Sequence, residues 1–204
     1  MIWQKNAYFC EDQNQCFMRE EIDKAVEVLK RGGIILYPTD TVWGVVCDAT
    51  NPEAVNRVYE LKRSKDKKGM IVLVDSIDNV ARYFRNVPPV AWDLLEMSEK
   101  QLTLILPGAS GVAENLVPEE KTLAVRVPKH EFCQMLIKRL RRPLVSTSAN
   151  LSGEPAPAKY EDIDKEIFAG VDMAVDEKFE GRPTGKPSSI IALGEGGEVT
   201  IIRE

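Results

Sequence analysis

Short apolar runs alternate with longer amphipathic stretches along most of the chain. In residues 19–31 apolar side chains recur every three to four positions, which predicts a helix that the glycine pair at 32–33 ends. The run at 34–38 is short and mostly apolar, which predicts a buried strand. The same patterns predict further strands near residues 44–49, 70–76, 101–108, 123–128, 143–149, 171–175, 188–193 and 198–203, and further helices near 52–61, 77–85, 89–97, 132–142 and 159–168.

This alternation of strands and helices predicts an α/β fold. The last two strands are joined by GEGGE, which predicts an antiparallel hairpin and therefore a mixed sheet. A chain of 204 residues with 44% hydrophobic residues is long enough for one full core. We therefore expect a single domain over residues 1–204, with a motif-bearing core at about 19–193.

The charge and the apolar content narrow the classes of function. A formal net charge of −5 disfavours a protein that coats nucleic acid, although it is compatible with a local basic pocket. No apolar run approaches the ~20 residues that a membrane-spanning helix needs. The N-terminal segment MIWQKNAYFCEDQNQ has neither the basic nor the apolar region of a secretory signal peptide. These features predict a cytoplasmic protein.

Histidine and cysteine offer little for catalysis or metal binding. Cys10, Cys16, Cys47 and Cys133 have no metal-ligand spacing, so we expect reduced thiols, with Cys47 as a small buried side chain. His130 is the one histidine of the chain and stands where a helix should begin, so we expect it on the surface or in a capping position. The sequence therefore predicts neither a catalytic triad nor a zinc site.

The segment GRPTGKPS at 181–188 resembles a Walker A phosphate-binding loop but does not fit that motif. The interval between Gly181 and Gly185 is one residue too short, and Pro187 stands where a helix should begin. The chain also lacks a G-x-G-x-x-G dinucleotide fingerprint. A nucleotide would therefore be bound by other means, and we expect residues 177–187 to form a flexible stretch.

Four segments place polar or basic side chains beside an apolar strand. They are residues 38–41, the basic run at 62–68, Thr122 with Arg126, and the cluster at 146–152. In open α/β sheets, ligands bind where loops gather outside the strand ends. Hydroxyl and backbone N–H groups bind phosphate, lysine adds charge, and arginine binds a carboxylate through two hydrogen bonds. Together the segments predict a site for a ligand rich in anionic oxygens.

Each of these segments also has a purely structural interpretation. Residues 38–41 suit a turn, and the cluster at 146–152 suits a cap followed by a turn. Lysines at a helix end are commonly solvated and complement the helix dipole. Arg126 alternates with Val125 and Val127, a pattern that would let it face water. The residue pattern alone leaves these alternatives open.

Six segments of the chain resemble those of the YrdC/TsaC family and occur in the order seen there. PTDTVWG and STSANLSG are the most specific of them, and the match runs over about residues 32–193. The segments are YPTDTVWGVVCDAT, KRSKDKKGMIVLV, LTLIL, LAVRVP, VSTSANLSGEPAP and PSSIIAL.

This resemblance implies an enzyme that makes threonylcarbamoyl-adenylate and pyrophosphate from L-threonine, bicarbonate and ATP, with Mg²⁺ accompanying ATP. The implied fold is an open, twisted mixed sheet with flanking helices and a concave basic face. The product would serve t6A modification at position 37 of tRNA. The resemblance further implies contact with tRNA or double-stranded RNA, and transfer proteins of the TsaD, TsaB and TsaE type.

The resemblance also implies roles for individual residues. L-threonine would be bound by Thr41, Arg126 and Ser146, with Arg126 on its carboxylate. ATP would be bound by Lys62, Lys68, Thr122, Ser148, Asn150 and Ser188, with Arg63 or Lys65 as an additional phosphate contact. The family chemistry implies no protein nucleophile and no metal ligand.

The chain departs from the family pattern at several positions. Ser64 stands where many relatives have an arginine, Trp43 replaces a tyrosine and Ala156 replaces a serine. Three alternatives are an RNA-binding protein, a diverged YciO-like paralogue without this activity, and a phosphosugar enzyme on a related fold. The net charge of −5 and the lack of aromatic residues within the basic run disfavour the first, and the largely intact PTDTVWG and SANLSG segments disfavour the second. The third needs acidic metal ligands and a histidine, which the matched motifs do not supply.

Overall fold

One mixed sheet organises the protein. The computed structural model describes residues 13–64 and 70–204, with side chains from residue 15 onward within those ranges. Its strands are β1 Ile35–Tyr37, β2 Gly44–Asp48, β3 Ile71–Leu73, β4 Leu102–Leu106, β5 Leu123–Arg126, β6 Leu144–Ser148, β7 Met173–Ala174, β8 Ser189–Leu193 and β9 Val199–Arg203. Its α-helices are α1 Gln13–Lys30, α2 Pro52–Leu61, α3 Pro89–Met97, α4 Glu131–Leu140 and α5 Lys165–Gly170.

The strand order brings distant parts of the sequence side by side. Across the described residues the order is β7-β1-β2-β6-β3-β5-β4-β8-β9. Strand β6 lies between β2 and β3 and is antiparallel to both, whereas β3 and β5 are parallel. Strands β8 and β9 form the predicted antiparallel hairpin. The mixed α/β sheet expected from the sequence is therefore confirmed.

Alternate strand residues pack into two cores on opposite faces of the sheet. Val45 and Val72 belong to the core on the side of α2 and α3, whereas Val46 and Leu73 pack against α1 and α4. All strand residues of the second core come from β1, β2, β3, β6 and β7. Beyond this region, Ala124 on β5 is only half-buried. Helices therefore cover only part of this face, and the cover ends near β5.

The N-terminal caps of two helices follow from their sequences to different degrees. Asn51 caps α2 by accepting hydrogen bonds from the N–H groups of Glu53 and Ala54, and Pro52 occupies the first turn. His130 stands at the expected cap position of α4, but its side chain makes no capping hydrogen bond. None of the described helices is both long and apolar enough to cross a membrane.

Two predicted helices were wrong in extent. The segment 77–85 contains only a 3₁₀ turn, Val80–Arg82, because the Arg85 N–H donates instead to the Gly108 carbonyl at 2.9 Å. The segment 159–168 is divided into a 3₁₀ turn, Tyr160–Asp162, and the later helix α5. Asp164 starts α5 afresh by accepting a hydrogen bond from the Glu166 N–H.

Asp172 joins the start of β1 to helix α2. Its carboxylate accepts a hydrogen bond from the Ile34 N–H at 2.7 Å and another from Arg57 Nη2 at 3.1 Å. Partial burial raises the pKa of Asp172, but the hydrogen bonds from Arg57 and Ile34 and the charge of Arg57 outweigh it. The pKa therefore lies below its usual value. The ionised carboxylate stabilises this junction.

We expect Asp172→Asn to lower the free energy of unfolding at pH 7 by about 1 kcal/mol, the typical contribution of one hydrogen bond. A pKa depressed by folding gives stability that is present at neutral pH and is lost as the pH falls below about 4. Thermal unfolding of both proteins between pH 3 and 7 should therefore show a difference that disappears in acid. Glu27→Gln, which removes an exposed pair with Arg31, is the control. A difference in Tm that stays constant over the whole pH range would contradict this role.

Candidate active site

A cavity of about 130 Å³ opens where the helical cover of the sheet ends. Arg126 and Arg203 contribute positive charge to its lining, and Trp43, Ile71 and Leu73 contribute apolar surface. Its hydroxyl-bearing lining residues are Thr39, Thr41, Ser146, Thr147, Ser148 and Ser188. The cavity therefore unites five residues that the sequence assigned to substrates: Thr41, Arg126, Ser146, Ser148 and Ser188.

The register of the strands explains why these residues meet. Ser146 on β6 lies opposite Val46 on one side and Ile71 on the other. Arg126 on β5 lies opposite Leu73, two residues along the same face of β3 from Ile71. The side chains of Ser146 and Arg126 therefore share one face of the sheet, separated only by β3.

Arg126 is buried, contrary to the interpretation in which it faces water. Its side chain is only 5% exposed, and its Nη1 donates a hydrogen bond to Thr41 Oγ1 at 3.0 Å. Its Nη2 lies 3.4 Å from the buried Asp40 carboxylate. Its Nε has no hydrogen-bond partner among the residues that the structure describes. A buried donor of this kind is suited to an anionic ligand.

The loop after β1 is held in place by its own hydroxyl groups. Thr39 Oγ1 donates to the Val42 carbonyl at 2.7 Å, lies 2.8 Å from Thr41 Oγ1 and accepts from the Thr41 N–H. The segment before β8 is attached to this loop, because the N–H groups of Thr184 and Gly185 donate to the carbonyls of Asp40 and Thr41. These backbone contacts bring Ser188 to the cavity.

Ser188 is held from two neighbouring strands. Thr103 on β4 shares a hydrogen bond of 2.7 Å with its hydroxyl, and Arg203 on β9 donates two hydrogen bonds to its carbonyl at 2.9 and 2.7 Å. The sequence analysis missed both Thr103 and Arg203. Arg203 lies opposite Ile190, in the strand that directly follows Ser188, and this register of the two strands could not be inferred from the local sequence.

Lys62 holds the loop after β6 from behind, and it is not among the residues that line the cavity. Its ammonium donates to the carbonyls of Ser148 and Asn150 at 2.6 and 2.8 Å. The Asn150 carboxamide accepts a hydrogen bond from the Ser148 hydroxyl and donates to the carbonyls of Leu151 and Glu154. Burial lowers the pKa of Lys62 to about 8. Lys62 and Asn150 therefore shape the loop that carries Ser148.

The other residues assigned to ATP lie away from the cavity or outside the described residues. Thr122 comes just before β5, four residues from Arg126, which corresponds to about 13 Å along a strand. Arg63 forms an exposed ion pair with Glu166. Lys65 and Lys68 lie outside the residues that the structure describes.

The polar groups that line the cavity are hydroxyls and guanidinium groups. The described part of the chain contains no group of three or more histidine, cysteine, aspartate or glutamate side chains that could hold a metal ion. The Nε2 of His130 lies 3.1 Å from the Glu180 carbonyl, outside the cavity lining. The hydroxyl and guanidinium groups of the cavity can bind and orient anionic oxygens.

Comparisons of the sequence with a family model and with curated proteins point to the same family. The model of the family Sua5_yciO_yrdC, described as "Telomere recombination", matches residues 27–204. A curated relative from Xanthomonas campestris pv. campestris (strain B100), named threonylcarbamoyl-AMP synthase, is 34% identical over 172 residues, which cover 79% of this chain and 88% of the relative. A relative of the same name from Hahella chejuensis is 35% identical over 171 residues, with 83% and 91% covered.

Solved structures share the fold. P. abyssi Sua5 complexed with L-threonine has a TM-score of 0.77 and 28% identity, covering 84% of this chain and 50% of that protein. This chain therefore spans half the length of the P. abyssi protein. E. coli YciO has a TM-score of 0.75 and 25% identity, covering 92% of this chain and 89% of YciO.

The lowered pKa of Lys62 leads to a test of its burial. Because the folded-state pKa of about 8 lies below that of an unfolded lysine, the unfolded chain binds more protons between about pH 8 and 10. The wild type should therefore gain stability relative to Lys62→Met as the pH rises from about 7 to 9.5. Thermal unfolding of both proteins across this range measures the gain, with the exposed Lys138→Met as control. A difference in Tm that is independent of pH would contradict the lowered pKa of Lys62.

Proposed function

The chain belongs to the Sua5/YciO/YrdC family, and on this basis we propose that it is a threonylcarbamoyl-AMP synthase. The enzyme joins L-threonine, bicarbonate and ATP into threonylcarbamoyl-AMP and releases pyrophosphate and water. This reaction is the first step of the t6A modification of tRNA.

The observation that carries this proposal is the buried guanidinium of Arg126 beside the hydroxyls of Thr41 and Ser146. Its Nε lacks a partner among the described residues, and all three side chains line the same cavity. A guanidinium binds a carboxylate through two parallel hydrogen bonds. An α-amino acid therefore fits with its carboxylate at Arg126 and the rest of the molecule between Thr41 and Ser146.

ATP binds next to the amino acid, along Ser148 and Ser188. The first is held by the loop that Lys62 and Asn150 shape, and the second by Thr103 and Arg203. Both hydroxyls line the cavity that contains Arg126, so the α-phosphate can lie close to the bound amino acid. Thr122, Lys68 and either Arg63 or Lys65 complete the proposed set of ATP contacts.

The reaction needs no protein nucleophile. The threonine amine combines with bicarbonate, losing water, to form a carbamate. A carbamate oxygen then attacks the α-phosphorus of ATP, and the bond to the β,γ-pyrophosphate breaks. Holding the carbamate and the α-phosphate in line can contribute about 7–11 kcal/mol, the range known for orientation effects. Hydrogen-bond donors around the phosphates stabilise the developing charge.

Magnesium enters this proposal with ATP. The described residues offer no cluster of carboxylates for the ion, so their chemistry does not fit a Mg²⁺ site built by the protein alone. Mg·ATP is therefore the substrate form.

We further propose that the reaction takes place in the cytoplasm, that the protein contacts tRNA, and that proteins of the TsaD, TsaB and TsaE type receive the adenylate.

We expect the purified protein to release pyrophosphate from Mg·ATP only when L-threonine and bicarbonate are both present. L-serine and reactions without an amino acid serve as controls. The product should have the mass of threonylcarbamoyl-AMP. Absence of threonine-dependent release, with ATP still bound, would favour a YciO-like paralogue, for which Ser64 in place of the family arginine is the relevant departure. Salt-sensitive binding of double-stranded RNA without turnover would favour an RNA-binding protein.

Arg126→Ala should raise the KM for L-threonine at least about tenfold, because a hydrogen bond to a charged group contributes about 1.5–3 kcal/mol. The KM for ATP should change much less. Arg139→Ala, which removes an exposed pair with Asp23, is the matched arginine control. Steady-state kinetics with each substrate varied in turn separates the two effects. Unchanged threonine kinetics in Arg126→Ala would refute the carboxylate assignment.

A further inference from the structure

Tyr37 contacts Ser146, a residue of the cavity lining, although it does not line the cavity itself and the sequence predicted no function for it. Its ring is fully buried, and its hydroxyl donates to Ser146 Oγ over 3.2 Å. The ring passes over Gly44 of the intervening strand β2. A Cβ at position 44 would lie 3.2 Å from Tyr37 Cε1 and 3.2 Å from Ser146 Oγ. The absence of a side chain at Gly44 therefore permits the contact.

The geometry of the contact makes the Tyr37 hydroxyl the donor and Ser146 Oγ the acceptor. Burial raises the pKa of Tyr37 well above its usual value, so the phenol keeps the proton that it donates. The nearby thiol of Cys133 donates to the Pro38 carbonyl at 3.2 Å. Because a serine hydroxyl carries a single proton, Ser146 keeps its own O–H for another acceptor.

Thr41, another residue of the cavity lining, has the reverse polarity. Thr39 donates its only hydroxyl proton to the Val42 carbonyl, so in the 2.8 Å contact with Thr41 the donor must be Thr41. Thr41 Oγ1 also accepts a hydrogen bond from Arg126. Thr41 has therefore no proton left and can only accept a hydrogen bond from a ligand. The cavity thus presents a hydroxyl donor at Ser146 and a hydroxyl acceptor at Thr41.

We propose that Tyr37 is a positioning residue that orients the Ser146 hydroxyl as a donor to the carboxylate of the bound amino acid. Thr39 makes the complementary arrangement by keeping Thr41 as an acceptor for the amino-acid N–H. Ser146 and Thr41 together orient the substrate, with its carboxylate toward Ser146 and Arg126 and its nitrogen toward Thr41. This inference rests on the proposed function, since it assumes that the cavity binds L-threonine.

Tyr37→Phe keeps the buried ring and removes only the hydroxyl. We expect the KM for L-threonine and its Kd by calorimetry to rise about three- to tenfold, the effect of one hydrogen bond, with the KM for ATP unchanged within about twofold. Tyr59→Phe, a buried tyrosine in the opposite core, is the matched control. Equal changes for both substrates would overturn the positioning role and indicate a general loss of structure.

A double-mutant cycle tests whether Tyr37 acts through Ser146. In the Ser146→Ala background, Tyr37→Phe should have almost no further effect on the Kd for L-threonine, because the hydroxyl that it orients is gone. Additive effects of the two substitutions would overturn the inference.

Failure of this inference is distinguishable from failure of the proposed function. If the wild type does not bind L-threonine in the presence of Mg·ATP, both are overturned. If the wild type binds L-threonine but the cycle shows additivity, only the role of Tyr37 is overturned.

Thr39→Ser should retain the wild-type Kd, because it keeps the hydroxyl that directs Thr41. Thr39→Val should raise the Kd, and an unchanged Kd there would refute the assignment of Thr41 as an acceptor.

Discussion

The arrangement of the site depends on how the buried charge of Arg126 is compensated. A guanidinium removed from water is tolerated only where a carboxylate and hydrogen-bond acceptors surround it. Asp40 supplies the carboxylate at 3.4 Å, and Thr41 accepts a hydrogen bond from the same side chain. Asp40 also accepts a hydrogen bond from the Lys129 N–H at 3.0 Å, just before α4. One buried pair therefore joins the loop after β1 to β5 and to the start of α4.

The compensation is incomplete, and this suits the pair to binding. Asp40 Oδ1 and Arg126 Nε have no hydrogen-bond partner among the described residues, and the separation of 3.4 Å between the two charged groups is long for a hydrogen bond. An unpaired buried donor costs free energy, which on the proposed function the carboxylate of the amino acid recovers when it binds. Attraction for an anion thus arises locally from strand register, in a protein whose net charge is −5.

Local sequence patterns predicted where the helices and strands lie better than they predicted which strands pair with each other. A local pattern of short apolar runs identified the strands, because a strand buried on both faces is apolar along its whole length, and the turn residues GEGGE identified the hairpin. Such a local pattern carries no information about which distant strands pair, so it could not reveal that Tyr37 reaches Ser146 across Gly44. It also left Lys62 and Arg126 with solvated interpretations, whereas both side chains are buried. The motif resemblance identified Arg126 but not Tyr37, Thr103 or Arg203, because their roles depend on contacts between strands.

Three cationic side chains near the cavity already have partners in the protein. On the proposed function, the phosphates of ATP therefore need positive charge from other groups. Lys62 is occupied by two carbonyl groups, Arg126 by Asp40 and Thr41, and Arg63 by Glu166. Arg203 lines the cavity and donates through Nε and Nη2 to the Ser188 carbonyl, so its other N–H groups can face a phosphate. One such group does not balance a triphosphate. On the proposed function, Mg²⁺ carried by ATP supplies further positive charge, and Lys65 and Lys68, three and six residues after Lys62 in sequence, are the remaining candidates.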